Sequence, residues 1–331
     1  MQINRHARAL AHTLAVATIC AACADIPAHA SDTDGPWGAS YFPNVPLVTQ
    51  DGKSVRFFDD LIKGKVVAIN FIYTGCSASC PMETARLREV QNILGERMGR
   101  DVFFYSITID PDNDTPEALK HYAAKFSVGP GWLFLTGRNE DITLLRQKLG
   151  LYMPAIQNGV KDHNLSLIIG NQSTGRWMKS SPFENPQLLA TQLGSWLHNW
   201  KQANARKNDY ADAPTQLRPL SRGEELFRTR CASCHTVGAA ATYATISPIG
   251  PDLAGVTGRR DRAWLARWLK EPDRMLAEKD PLAIALYAQY NNVAMPNLRL
   301  NGTDIAALLT WLDETSGPAR QPGQPLTSQK P

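Results

Sequence analysis

Six cysteines lie along the 331 residues, and four of them stand as two close pairs, Cys76/Cys80 and Cys231/Cys234. A disulfide scaffold scatters cysteines through the loops of a small domain, and a chain of this length needs no such staples. Close pairs point instead to redox, metal or haem chemistry. The second pair runs straight into a histidine, Cys231-Ala232-Ser233-Cys234-His235. Two thiols at this spacing on a helical turn can reach one porphyrin and form thioether bonds, with the adjoining imidazole held beneath the iron. Five residues of this kind could also be a redox pair or half a zinc site. The surroundings favour haem: no further Cys pair lies nearby to complete a zinc site. Gly223-Glu224-Glu225-Leu226-Phe227 precedes the motif on a helix whose aromatic can pack on the ring, and Ala294-Met295-Pro296-Asn297-Leu298 follows it ahead of a last helix over 303–312.

The first pair has a wider gap, Cys76-Ser77-Ala78-Ser79-Cys80. Once helical, residues i and i+4 share a face, so both sulfurs point one way. Two such thiolates grip one soft ion, and Cu(I) is the favoured candidate in an exported protein. The alternative is a plain dithiol without metal, although the gap is awkward for a low-strain disulfide. Met82 reads as a core residue behind Cys80, with an approach to copper as its alternative, and His121 and His198 as structural or solvated.

The elements that must position these groups follow from the hydrophobic pattern. Residues 66–73 form a continuous apolar run of strand length, which predicts a buried central strand. A turn with Gly75 and Cys76 leads into a helix reaching Met98, with Leu87, Val90 and Leu94 at helical spacing. A second buried strand is expected over 102–109, and a helix over 116–126 opened by Thr115 as cap and Pro116 at its first position. A strand at 132–135, a helix at 139–149, a hairpin-like pair at 165–169 and 176–179, and a closing helix at 185–200 complete a βαβαβαββα order. A Cys pair where the first strong strand meets its helix is the thioredoxin-type layout. The expected architecture is therefore an α/β thioredoxin-like domain with a central sheet, followed by a small all-α domain. The boundaries are a leader at 1–30, the first domain at 31–203, a polar linker at 204–219, the helical domain at 220–316, and a Pro/Gln/Ser-rich tail at 317–331.

Composition is that of a globular protein: 43% hydrophobic, 20% charged, net charge +4. No Lys/Arg run suggests nucleic acid as a partner. Arg5 and Arg8, an apolar stretch over 9–22, and Ala28-His29-Ala30 have the form of a secretory signal cleaved near Ala30, which implies a periplasmic protein. Cys20 and Cys23 leave with it. The residues before Cys23 lack the branched aliphatic of a lipid-attachment site. No later apolar run reaches spanning length, so the mature chain is expected to lack a membrane span.

The C-terminal stretch closely resembles the monohaem class I cytochrome c family. The resemblance rests on the helix before the motif, Ile249-Gly250-Pro251-Asp252-Leu253 after it, and the Met-Pro loop before the last helix. It implies one covalent haem c on Cys231 and Cys234, with His235 and Met295 as axial ligands. Met275 competes for the second place but lacks the Met-Pro setting. Residues 41–200 resemble the Sco/SenC family of copper-binding proteins. The carriers are Asn70-Phe71-Ile72-Tyr73-Thr74-Gly75-Cys76, Cys80-Pro81, Ser106-Ile107-Thr108-Ile109-Asp110-Pro111, Asp114-Thr115-Pro116 and Asp162-His163. That resemblance implies Cys76, Cys80 and His163 as ligands for one copper, with Asp110 either orienting His163 or serving as a turn carboxylate. It also implies a role in assembling the dinuclear copper centre of cytochrome c oxidase, whose copper-bearing subunit would be a partner. The alternative is thiol–disulfide exchange by Cys76 and Cys80 with another exported protein. The family usually has Pro after the first Cys and often an acidic residue between the two. Ser77, Ala78 and Ser79 stand there instead, so the thiolates are expected to feel less negative charge. Two relatives fit poorly: a peroxiredoxin would have Thr where Tyr73 stands, and a general thioredoxin would have Pro where His163 and Asn164 precede the late strand.

Overall fold

The computed structural model describes residues 37–76, 79–152, 165–198, 219–238 and 249–315. The expected leader and tail lie outside these residues, as do the linker up to 218, Ser77, Ala78 and His163.

The first domain is built on strand β3 (Val66–Ile72), whose seven residues are all buried. Alternate side chains leave it in opposite directions, and both directions are apolar. Val66, Ala68 and Ile72 enter one core, while Val67, Ile69 and Phe71 enter a second on the other side of the sheet. A strand apolar on both faces must be sandwiched between layers. It pairs in parallel with β4 (Val102–Thr108), which pairs in parallel with β5 (Trp132–Thr136). On the other side β3 pairs antiparallel with β6 (Leu167–Asn171), which forms a hairpin with β7 (Arg176–Ser180). A short hairpin, β1 (Pro46–Thr49) and β2 (Ser54–Arg56), extends the sheet at β5, giving the order β2-β1-β5-β4-β3-β6-β7.

Helix α1 (Ser79–Leu94) follows the Cys76 turn, and α2 (Pro116–Lys125) follows β4. Both contribute to the core that holds Val66 and Ile72. Thr115 caps α2, its hydroxyl accepting from the Ala118 N–H at 3.3 Å, with Pro116 in the first turn as expected. Helix α3 (Asn139–Lys148) and a wide helical turn at Phe57–Ile62 cover the opposite face. Helix α4 (Pro186–Thr191) packs back against α1. This is the expected thioredoxin-like arrangement, with the cysteine turn at the C-terminal end of the central strand. The β1–β2 hairpin was not expected from the sequence.

The C-terminal region is helical: α5 (Arg222–Leu226), α6 (Arg262–Lys270), α7 (Pro272–Ala277), α8 (Pro281–Gln289) and α9 (Gly302–Thr315). Helices α5 and α9 cross at Gly223. A methyl group there would lie 2.3 Å from the Ala307 carbonyl and 2.5 Å from Trp311 Cβ, so only glycine permits the approach. Leu226, Leu265, Ile305, Leu308 and Leu312 fill the core between α5, α6 and α9.

Candidate functional site

Cys76 ends the turn after β3, its N–H donating to the Tyr73 carbonyl at 3.2 Å. Cys80 opens α1 and is fully buried, while Cys76 is 8% exposed. The Cys80 N–H points at Cys76 Sγ, 3.4 Å away. A backbone donor of this kind stabilises negative charge on that sulfur. The Cys80 thiol is held well above the usual thiol range by its hydrogen bond with Cys76, by burial, and by the charges of Cys76 and Glu83. The two sulfurs therefore do not ionise together unless a cation joins them, and a soft cation suits two thiolates. Both are free cysteines.

The floor beneath the pair is polar and buried. Asn70 donates to Glu83 Oε2 at 3.3 Å, Ser106 donates to Asn70 Oδ1 at 2.7 Å, and Trp132 Nε1 donates to Ser106 at 2.9 Å. Glu83 is 1% exposed and lies on α1 one turn past Cys80. Glu83, three residues past Cys80 and so on the same side of α1, thus places a carboxyl behind the pair. A second buried carboxylate, Asp114, anchors the turn. It accepts from the Thr74 N–H at 3.1 Å and from the hydroxyls of Thr74 and Thr108. Asp110 accepts from Asn113 Nδ2 at 3.0 Å in the same loop. His163 lies outside the described residues. Among the described residues no group of three His, Cys, Asp or Glu side chains converges on a metal position.

The second site is an apolar crevice that gathers Cys231, Cys234, His235 and Met295. Its aromatic walls are Trp264, Trp268, Tyr287 and Tyr290. Phe227, expected on the ring, does not line it. Phe227 packs on Trp311 of α9 at 4.9 Å between ring centres, because α5 turns that side chain into the helix crossing. Met275 is fully buried outside the crevice, in keeping with the core reading.

The His235 ring is fixed from behind. Its Nδ1–H donates to the Pro251 carbonyl at 2.9 Å, which leaves Nε2 as the lone-pair nitrogen. Burial lowers the imidazole pKa, so the neutral, ligating form dominates. A methyl group on Gly250 would sit 2.5 Å from His235 Cε1, so the glycine lets the backbone lie against the ring. The segment is held down by Gly250 N–H to the Cys234 carbonyl and Leu253 N–H to the Thr236 carbonyl, both 2.8 Å. Burial pushes the Cys231 thiol up to about 12 and the Cys234 thiol up to about 11. The Met295 loop is tied to α7 by Asn297 Nδ2, which donates to Asp273 at 2.8 Å. Two cysteines, an oriented neutral imidazole and a thioether around an apolar slot fit a haem.

Met82 corrects an expectation. It is not packed behind Cys80 but lines the crevice together with Pro81, so the first domain forms part of its wall. Ile249 is buried in the core that contains Cys76 and Cys80, with Cys234 and Val293 packed against it. The two domains therefore touch at the head of α1.

Residues 39–197 match the SCO1/SenC family and residues 220–316 match the cytochrome c family. A SCO2-like protein of Rickettsia conorii is 30% identical over 153 residues, which is 43% of this chain and 72% of its own length. The SCO1 protein homolog of Bacillus subtilis is 38% identical over 93 residues, 28% of this chain. This chain spans 47% of the length of that relative. The structure of Bradyrhizobium japonicum ScoI with copper bound is 28% identical, with a TM-score of 0.39, covering 46% of this chain and 96% of that one. The chain belongs to the SCO1/SenC family and carries a cytochrome c domain behind the family domain. Among the described residues no helix is long and apolar enough to cross a membrane.

Proposed function

We propose that this is an exported, periplasmic copper-binding redox protein that serves the assembly of the dinuclear copper centre of cytochrome c oxidase, with its haem domain as a one-electron partner. Cys76, Cys80 and His163 hold the copper. Cys231 and Cys234 carry haem c, and His235 and Met295 are its axial ligands. The observation that carries the reading is the buried pair of sulfurs at the head of α1, with Cys80 N–H aimed at Cys76 Sγ. Two thiolates at the head of one helix suit a soft cation, and an added imidazole lets the same pocket hold Cu(II).

Haem bound in the crevice supplies a reversible one-electron couple. Copper moving between Cu(I) and Cu(II) also exchanges one electron, whereas a dithiol and its disulfide exchange two. A tethered haem therefore matches copper better than a bare dithiol. Pro251 holds His235 in its ligating tautomer, and the aromatic walls make the crevice apolar.

Thiol–disulfide exchange is the second reading. It is supported by the stabilised Cys76 sulfur beside a Cys80 thiol that retains its proton, a nucleophile next to a resolving partner. Protein purified from the periplasm should contain one copper and one covalent haem per chain. Colourless material that retains no stoichiometric copper overturns the proposal. Rapid reduction of a partner disulfide by metal-free protein would favour the second reading.

A further inference from the structure

Arg86 has no role in the chemistry described so far, yet it is a buried cation. It lies on α1, on the side that meets the cytochrome domain, and is 7% exposed. Its Nη2 donates to the Thr229 carbonyl at 2.6 Å and to the Arg228 carbonyl at 3.2 Å. Its Nη1 donates to Glu89 at 3.2 Å. Thr229 and Arg228 belong to the last helical turn before Cys231, in the segment Phe227–Cys231. Carbonyls at the C-terminal end of a helix carry partial negative charge and lack partners in their own helix. A guanidinium is suited to them because its planar fork holds two acceptors at once.

The contacts around it form a single apposition. Arg86 and Arg88 both act electrostatically on Cys234. Ile249, Cys234 and Val293 of the cytochrome domain pack into the core that holds Cys76 and Cys80. Pro81 and Met82, the residues directly after Cys80, line the haem crevice. Tethered domains otherwise move freely unless their interface is large and apolar. A buried charge that takes two of its three acceptors from the other domain gives the interface a fixed register, because separation strips the guanidinium of those two carbonyls and leaves it Glu89 alone.

We propose that Arg86 is an interdomain clamp: by gripping the Arg228 and Thr229 carbonyls it seats the haem-attachment turn on the head of α1, so that Met82 closes the haem crevice and the haem is positioned two residues from Cys80. Arg86 is thus a positioning residue for electron exchange between the two sites. The proposal rests on the haem reading of the second domain.

The test uses the full haem-loaded chain and three variants, Met82→Glu, Arg86→Met and the double variant. A carboxylate in the crevice wall favours the ferric, more positive haem, so it lowers the reduction potential only if residue 82 faces the haem. With Arg86 present, Met82→Glu should shift the haem midpoint to lower potential. In the Arg86→Met background the shift should shrink to within error of zero, the signature of coupled residues. Hydrogen exchange at the amides of residues 82–86 should be about tenfold faster in Arg86→Met than in the native chain, as expected for loss of a local contact. A Met82→Glu shift of zero with Arg86 present, or of equal size in both backgrounds, overturns the clamp. A chain that acquires no covalent haem overturns the haem reading instead, and unchanged exchange on Arg86→Met then rejects the clamp by itself.

Discussion

Asp114 holds Thr74 twice, by its backbone N–H and by its hydroxyl, and through Thr74 it fixes the turn that ends at Cys76. The carboxylate is fully buried and also accepts from the Thr108 hydroxyl at the end of β4. Asp114→Ala leaves these donors without an acceptor, at a cost of about 1–3 kcal/mol for a buried unsatisfied group. Thermal unfolding should show the loss, and copper retention measured by competition with a chelator should fall with it. Asp114→Asn, which keeps one acceptor, should be milder on both counts. A native melting temperature in the alanine variant would mean the turn does not depend on this contact.

The proposed copper ligands are expected to separate by oxidation state. Cys76→Ser and Cys80→Ser should each abolish tight copper binding, whereas His163→Ala should mainly weaken Cu(II) and spare Cu(I). Metal analysis after dialysis at controlled potential distinguishes these cases. Undiminished Cu(II) binding by His163→Ala would remove that residue from the ligand set.

Met295 and Met275 make opposite predictions. Met295→Ala should leave a covalently attached haem with altered axial ligation, seen in the visible spectrum. Met275→Leu should leave that spectrum unchanged, because Met275 is buried away from the crevice. The reverse pattern would exchange their roles.

Asp252 gives the cytochrome domain an acid limb. Burial acts to raise its pKa, but hydrogen bonds from Thr236, Ala254 N–H and Gly238 N–H, together with Arg259, outweigh it and hold the carboxyl below its ordinary value. A depressed carboxyl contributes stability that is present above the unfolded pKa of about 3.9 and is lost as pH falls through the folded value. Urea titrations should therefore show Asp252→Asn weaker than the native chain near neutrality, with the gap closing below about pH 4. A gap independent of pH would assign the effect to shape and not to charge.

Much of this layout was legible in the sequence, for identifiable reasons. The run from Val66 to Ile72 is apolar on both faces, which suits a central strand, and the four-residue spacing of Cys76 and Cys80 brought them together, although Cys76 ends the turn ahead of α1 and is not on the helix. The Cys231-to-His235 motif was legible because its chemistry is local. The β1–β2 hairpin was not: its strands have four and three residues, too short for an alternation to register. Phe227 has the spacing to face a haem, but the close crossing at Gly223 turns it toward Trp311. Asp114 and Arg86 act across elements far apart in sequence, and periodicity carries no signal for such contacts. Met82 reads as core from its own helix, and only the docked second domain shows what it faces.

The proposal has one electron pass between the two sites within one molecule, and this can be watched directly. The haem of Cu(II)-loaded full-length protein is reduced in a flash, and the Cu(II) signal is followed together with the haem absorbance. Haem reoxidation should match the disappearance of Cu(II) one for one, at a rate independent of protein concentration. A haem that stays reduced beside an undiminished Cu(II) signal would contradict the coupling of the two centres.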